Sequence, residues 1–160
     1  MAPRMAGVRS NVMYQRILVP VDGSDCADRG LSEAMSLAQV TGARIRLVHV
    51  VDEPLVAIGV DVAAGAAEDL VAVACEAARQ VLADATDKVR LAGIQVSDVL
   101  LDSFDGRVCD LVTGAAKTWS ADLVVMGTHG RRGVGRMLLG SDAEEVLRLS
   151  PVPVLLVRHE

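Results

Sequence analysis

The residues best suited to chemistry lie close together near the C-terminal end of the chain. Gly127, Gly130, Gly133, Gly135 and Gly140 fall within one short stretch, with Arg131, Arg132 and Arg136 among them and Ser141 directly after the last glycine. Glycines remove the Cβ atoms that would hold a ligand away from the backbone, and Gly130 is expected to use this freedom in a positive φ. An apolar, β-branched run from Leu123 reads as a strand ahead of this loop, and Ser141-Asp-Ala-Glu144-Glu-Val reads as a helix start behind it. The first amides of a helix have no intrahelical acceptor and carry about half a positive charge. With arginines able to pair with phosphate oxygens, the stretch suits an anion, and a phosphate above all. A second centre is Asp22, in Val19-Pro-Val-Asp22-Gly-Ser24-Asp25. Its carboxylate is a hard oxygen ligand and can also cap the helix that follows.

Two familiar phosphate loops fail against this stretch. Gly135 and Gly140 have the glycine spacing of a nucleoside triphosphatase P-loop, but Ser141 stands where the lysine is required. Gly133-Val-Gly135 opens a dinucleotide fingerprint, but Leu138 occupies the third glycine position. The spacing that does match is Gly127, two residues, Gly130, nine residues, Gly140-Ser141. Together with the Val-Pro-Val-Asp22-Gly-Ser-Asp segment and the proline-broken last strand, it resembles the ATP-binding signature of the universal stress protein family. The resemblance runs from Tyr14 to His159.

The resemblance implies a small cytoplasmic stress or energy-status regulator that binds ATP, with or without magnesium or manganese. Cyclic-nucleotide binding and a nucleotide-free dimeric interaction module are the alternatives on the same fold. The implied ligand-facing residues are Asp22, on the ribose side or holding a divalent ion beside the phosphates, the backbone of Val50 on the adenine side, Gly127, Gly130, Gly140 and Ser141, and Arg131 and Arg132 of the same loop can pair with phosphate oxygens. A homodimer through the strand from Pro153 to Val157 and a regulatory protein partner are also implied. Two departures stand out. The turn Asp102-Ser-Phe-Asp-Gly106 lacks the Gly-x-Pro of many nucleotide-binding relatives, and Asp142 follows the Gly-Ser pair where a small or apolar residue is usual. Ser141 to Glu144 also reads as a capping box, with Ser141 capping the helix and side chains taking amides that a phosphate would use. No P-loop lysine, general base or arginine finger is arranged for transfer, so at most slow ATP hydrolysis is expected.

These residues must be positioned by the rest of the chain. Strands are expected at Gln15 to Val21, Arg44 to Val51, Gln95 to Leu101, from Asp122, and at Val154 to Val157. Helices are expected at Cys26 to Val40, Glu68 to Leu91, Arg107 to Lys117 and Ser141 to Leu149. The second should turn Leu70, Val73, Ala74, Ala77, Val81 and Ala85 inward, and the third Val108, Leu111, Val112 and Ala115. Residues 52 to 66 read as the longest irregular connection, and residues 1 to 13 as a disordered leader before a single nucleotide-binding domain from 14 to 160. Strict alternation of strand and helix predicts a five-stranded, parallel, doubly wound (Rossmann-like) α/β sheet with four main helices on both faces. Order 3-2-1-4-5 sets strands 1 and 4 side by side at the switch point, so Asp22 and Gly127 should border one crevice.

Composition narrows the alternatives. Half the chain is apolar, but it has one Phe, one Trp and one Tyr, so the core is aliphatic and a base-stacking nucleic-acid surface is not expected. A net charge of −5 disfavours polyanion partners without opposing a single phosphate site. No apolar run reaches the roughly 18 residues of a membrane span. Cys26, Cys75 and Cys109 have no metal-ligand spacing and read as free thiols, and the three histidines form no cluster, so a protein-held metal is not expected.

Overall fold

The computed structural model describes residues 13–51, 64–102, 106–130 and 139–158. Almost all of the expected leader, most of the 52 to 66 connection, the middle of the Asp102 to Gly106 turn and the arginine loop 131–138 lie outside the described residues. The elements are β1 (Arg16–Pro20), α1 (Asp25–Thr41), β2 (Arg44–Val51), α2 (Ala64–Leu91), β3 (Val96–Asp102), α3 (Val108–Thr118), β4 (Leu123–Gly127), α4 (Ser141–Leu149) and β5 (Val154–Val157). All strand pairs are parallel and the order is β3-β2-β1-β4-β5.

The two central strands are apolar on both faces because both faces are covered. Side chains alternate across a strand. Ile17, Val19, Ile45, Leu47, Leu123 and Val125 therefore meet α1 and α2 through Leu31, Ala34, Ala38, Leu82, Ala85 and Val89. Leu18, Val48, Val124 and Met126 meet α3 and α4 through Cys109, Val112, Ala116, Ala143 and Val146. Pro20, which cannot donate to a ladder, is the last residue of β1.

Local signals fix α1. Ser24 caps it, accepting from the Ala27 amide at 3.2 Å, and Gly42, at φ 72°, ends it with its amide on Ala38 O at 2.8 Å.

Other expectations need correction. Helix α2 begins at Ala64, inside the stretch expected to be irregular. Its inward face is only partly as expected: Ala85 is buried and Val81 packs against the core, but Val73 is 67 % exposed and Ala77 is exposed, and Ala78, Leu82, Thr86 and Val89 complete the buried stripe. At 1.5 Å per residue its 28 residues span about 42 Å, against about 26 Å for the eight residues of β2, so its first turns have no sheet to cover. On α3 the buried stripe is Cys109, Val112 and Ala116, with Leu111 and Ala115 only half-buried. Asp102 belongs to β3 rather than to the following turn. Among the described residues no helix is long and apolar enough to cross a membrane.

Candidate functional site

The β1 and β4 strands are hydrogen-bonded neighbours, so the loops leaving their C-terminal ends face each other. Asp22 stands two residues beyond β1. Its Oδ1 accepts from the Ser24 amide at 2.9 Å, an Asx-type turn that fixes the carboxylate and leads into the cap of α1. Its Oδ2 lies against Gly130, where an added Cβ would sit 2.6 Å from it. Two residues 108 positions apart in sequence are thus in contact at the switch point.

The glycines have different roles. Gly127 ends β4 where α1 begins, and an added Cβ would lie 2.7 Å from Cys26 O and 2.8 Å from Cys26 Sγ. It therefore permits close strand-to-helix packing rather than ligand approach. Gly130 permits close approach to Asp22, but the expected positive φ is not found: among the described glycines that conformation is confined to Gly23, Gly42, Gly93 and Gly106. Room for the Asp22 carboxylate, not backbone handedness, is what excludes a side chain there. Gly140 closes the loop, its amide donating to Thr128 O at 2.9 Å, and its missing Cβ would lie 3.1 Å from that same oxygen.

Thr128 is a junction that the sequence does not announce, because its contacts depend on how the loop closes. Its amide donates to Val157 O at 2.9 Å and its hydroxyl lies 3.0 Å from His129 Nδ1. Cys26 Sγ lies 3.7 Å from that hydroxyl and donates to Val157 O at 3.4 Å. The start of α1, the end of β5 and both ends of the glycine-rich loop therefore meet at one residue.

Helix α4 starts differently from the expectation. Its N-cap is Gly140, without any side-chain cap bond, and Ser141 is the first helical residue rather than the cap. The capping box is absent: Glu144 donates its amide to Gly140 O, while its carboxylate pairs with Arg148 at 3.0 Å. A serine at the first helical position cannot reach the amides that an N-cap serine would take, so those first-turn donors are not consumed by a box. Asp142 is exposed in this first turn.

A charged brace on the other side holds α4 against α3. Arg107 reaches Glu145 Oε1 at 3.1 Å and grips both oxygens of Asp110 at 3.0 and 3.2 Å, which raises its already high pKa. Cys109 Sγ donates to Glu145 Oε2 at 3.0 Å. Burial first, then this bond, push the Cys109 thiol up to about 11, so it is a structural thiol and a poor nucleophile.

Val50 lies near the end of β2, in register with Leu101. The Arg44 amide bonds Gln15 O and Val48 O accepts from Val21, so even-numbered residues of β2 direct their backbone groups toward β1. The bonds between β1 and β2 end at Val21 and Val48, so the Val50 backbone faces the side of β2 beyond the last of them. Arg131 and Arg132 lie outside the described residues. Among the described residues no three His, Cys, Asp or Glu side chains are grouped to hold a metal.

Asp22, just beyond β1, lies against Gly130 of a Gly-x2-Gly-x9-Gly-Ser loop, and the family model for universal stress proteins matches residues 13–158. The chain belongs to the universal stress protein family. A Thermus aquaticus universal stress protein, encoded in the 3′ region of QAH/OAS sulfhydrylase, is 37% identical over 146 residues, covering 91% of this chain and 100% of the relative. The solved structure of protein MJ0577 from Methanocaldococcus jannaschii superposes with a TM-score of 0.80 at 26% identity, over 92% of this chain and 98% of that one. A universal stress protein solved with cAMP superposes at 0.62 with 26% identity, and one from Archaeoglobus fulgidus solved with dAMP at 0.64 with 25%. Each of these two covers 91% of this chain and 98% of the other.

Proposed function

We propose that this universal stress protein binds ATP in the crevice bordered by Asp22, the Val50 backbone and the Gly127 to Ser141 loop. It acts as a stress or energy-status regulator through occupancy and dimerisation rather than turnover. The observation that carries the reading is the Asp22 carboxylate seated against Gly130, beside a helix start with no side-chain cap. Phosphates would sit on the Gly140, Ser141 and following amides with Arg131 and Arg132 over them, and Asp22 would take the ribose or a magnesium or manganese ion. The relatives solved with cAMP and dAMP support an adenine nucleotide as the ligand class, and the first makes cyclic AMP the second reading.

Dimerisation would use β5. It is a sheet edge, and Val154, Leu155, Leu156 and Val157 are all only half-buried within one chain. Free thiols at Cys26, Cys75 and Cys109 agree with a reducing, cytoplasmic setting. A regulatory protein partner would read the occupied state.

Calorimetric titration with ATP and cyclic AMP, with and without magnesium, tests the reading. Gly130→Val, which drives a side chain into the Asp22 carboxylate, should abolish binding in a protein that still folds. Unchanged affinity in the folded variant would remove the loop from the argument, and preference for cyclic AMP over ATP would select the second reading.

A further inference from the structure

We propose that Arg16, Arg44, Arg46 and Trp119 form a second anion site, for a multiply charged phosphate, at the end of the sheet opposite the crevice. The strands are parallel, so their N-terminal ends lie together, about 26 Å from the crevice along the eight residues of β2. Arg44 and Arg46 are two apart on β2 and share a face, with their guanidinium carbons 6.0 and 4.8 Å from the centre of the Trp119 ring. Arg16 is in register with Arg44 on β1, and its Nη1 donates to Trp119 O at 3.0 Å. Arg46 Nε donates to Ser97 Oγ at 3.0 Å. The indole and these two bonds orient three guanidinium groups while using few of their N–H donors.

Among the described residues, no carboxylate pairs with these guanidinium groups. Arg79, Arg90, Arg107 and Arg148 each have an acidic side chain within 4.0 Å, whereas among the described residues no such pair forms at Arg16, Arg44 or Arg46. The Asp122 carboxylate beside them is engaged by the backbone amides of Gln15 at 2.7 Å and Arg16 at 3.0 Å. Carbonyl groups at the C-terminal end of α3 account for the place of Arg16. They leave Arg44, which is exposed, and Arg46 without a counter-charge, and Lys117 adds a further cation to the last turn of α3. A chain of net charge −5 thus concentrates positive potential at one spot, with planar forks that match phosphate oxygens. The guanidinium of Arg46 lies over the ring, so recognition would rest on charge pairing and not on stacking a base.

Trp119 is the only tryptophan, so its emission reports on this cluster alone. Inorganic pyrophosphate titrated at constant ionic strength should change that emission saturably. Arg44→Gln/Arg46→Gln, with far-UV dichroism unchanged, should weaken the response at least tenfold, and Gly130→Val should retain it. If the double variant does not fold, Arg44→Gln alone should weaken it severalfold, since that side chain is exposed. Four results would each overturn the proposal: no saturable change, equal affinity in the arginine variants, loss of the response in folded Gly130→Val, or its reproduction by sodium chloride alone.

Discussion

Replacing Gly127 by alanine tests whether the crevice is built on close packing between α1 and β4. The new Cβ would lie 2.7 Å from Cys26 O and 2.8 Å from both Cys26 C and Sγ. Gly30, one turn further along α1, would bring its own Cβ to 3.1 Å from the Gly127 amide, so the two elements touch backbone to backbone along this line. Ordinary contact begins near 3.4 Å. Relief therefore requires the first turn of α1 to withdraw by roughly 0.7 Å, and two of the three clashing atoms are backbone, which cannot swing aside. Withdrawal stretches the Cys26 bond to Val157 O and loosens Leu31 and Ala34, which are 1% and 0% exposed. Overpacking of this kind costs about 1–3 kcal/mol, and the lower unfolded-state entropy of alanine returns roughly 0.5–1. The net is a loss of about 1 kcal/mol, or roughly 2–4 °C in Tm for a chain of this size. Urea unfolding followed by far-UV dichroism would measure it as a lowered midpoint at unchanged slope. A Gly127→Ala protein within about 0.5 kcal/mol of the parent would refute the packing role and return Gly127 to the ligand side.

Gly114 gives the opposite sign: it is exposed within α3, with nothing within 4 Å of an added Cβ, so Gly114→Ala should stabilise by about 0.5–1 kcal/mol in the same urea assay. Cys109 makes stability depend on pH. Its folded pKa of about 11 exceeds the ordinary 9.0, so the unfolded chain loses this proton first, and stability that is complete below pH 9 falls between pH 9 and 11. Cys109→Ala should show a shallower decline over that window, and parallel curves would exclude the effect. If β5 pairs with a second copy, the wild-type chain sediments as a dimer at micromolar concentration. Pro153 O and Val157 O face β4, so the Val154 amide faces outward, and Val154→Pro should yield a monomer while sparing the β4 ladder. A monomeric wild type would rule the interface out.

The sequence alone determined the elements and their order, because those signals are local. Runs such as Ile17-Leu-Val19 and Leu123-Val-Val-Met126 are apolar on both faces only where helices cover both, and Ser24 and Gly42 mark the ends of α1 by backbone chemistry confined to one turn. Alternation of strand and helix then restricts the topology, which is why the meeting of Asp22 with the Gly127 loop was legible from residues over 100 positions apart. How far along α2 the buried face extends was not legible, because an apolar residue such as Val73 is inward only where a sheet lies beneath it, and the helix outruns the sheet. The division of labour among the glycines depended on tertiary structure for a similar reason. Gly127 serves Cys26, Gly130 serves Asp22 and Gly140 serves Thr128, and in each case the neighbour that forbids a Cβ comes from a distant part of the chain or across a closed loop. The same holds for the arginines around Trp119: periodicity places each on its strand, but only the register of β1 with β2 and the end of α3 bring their charges to one indole.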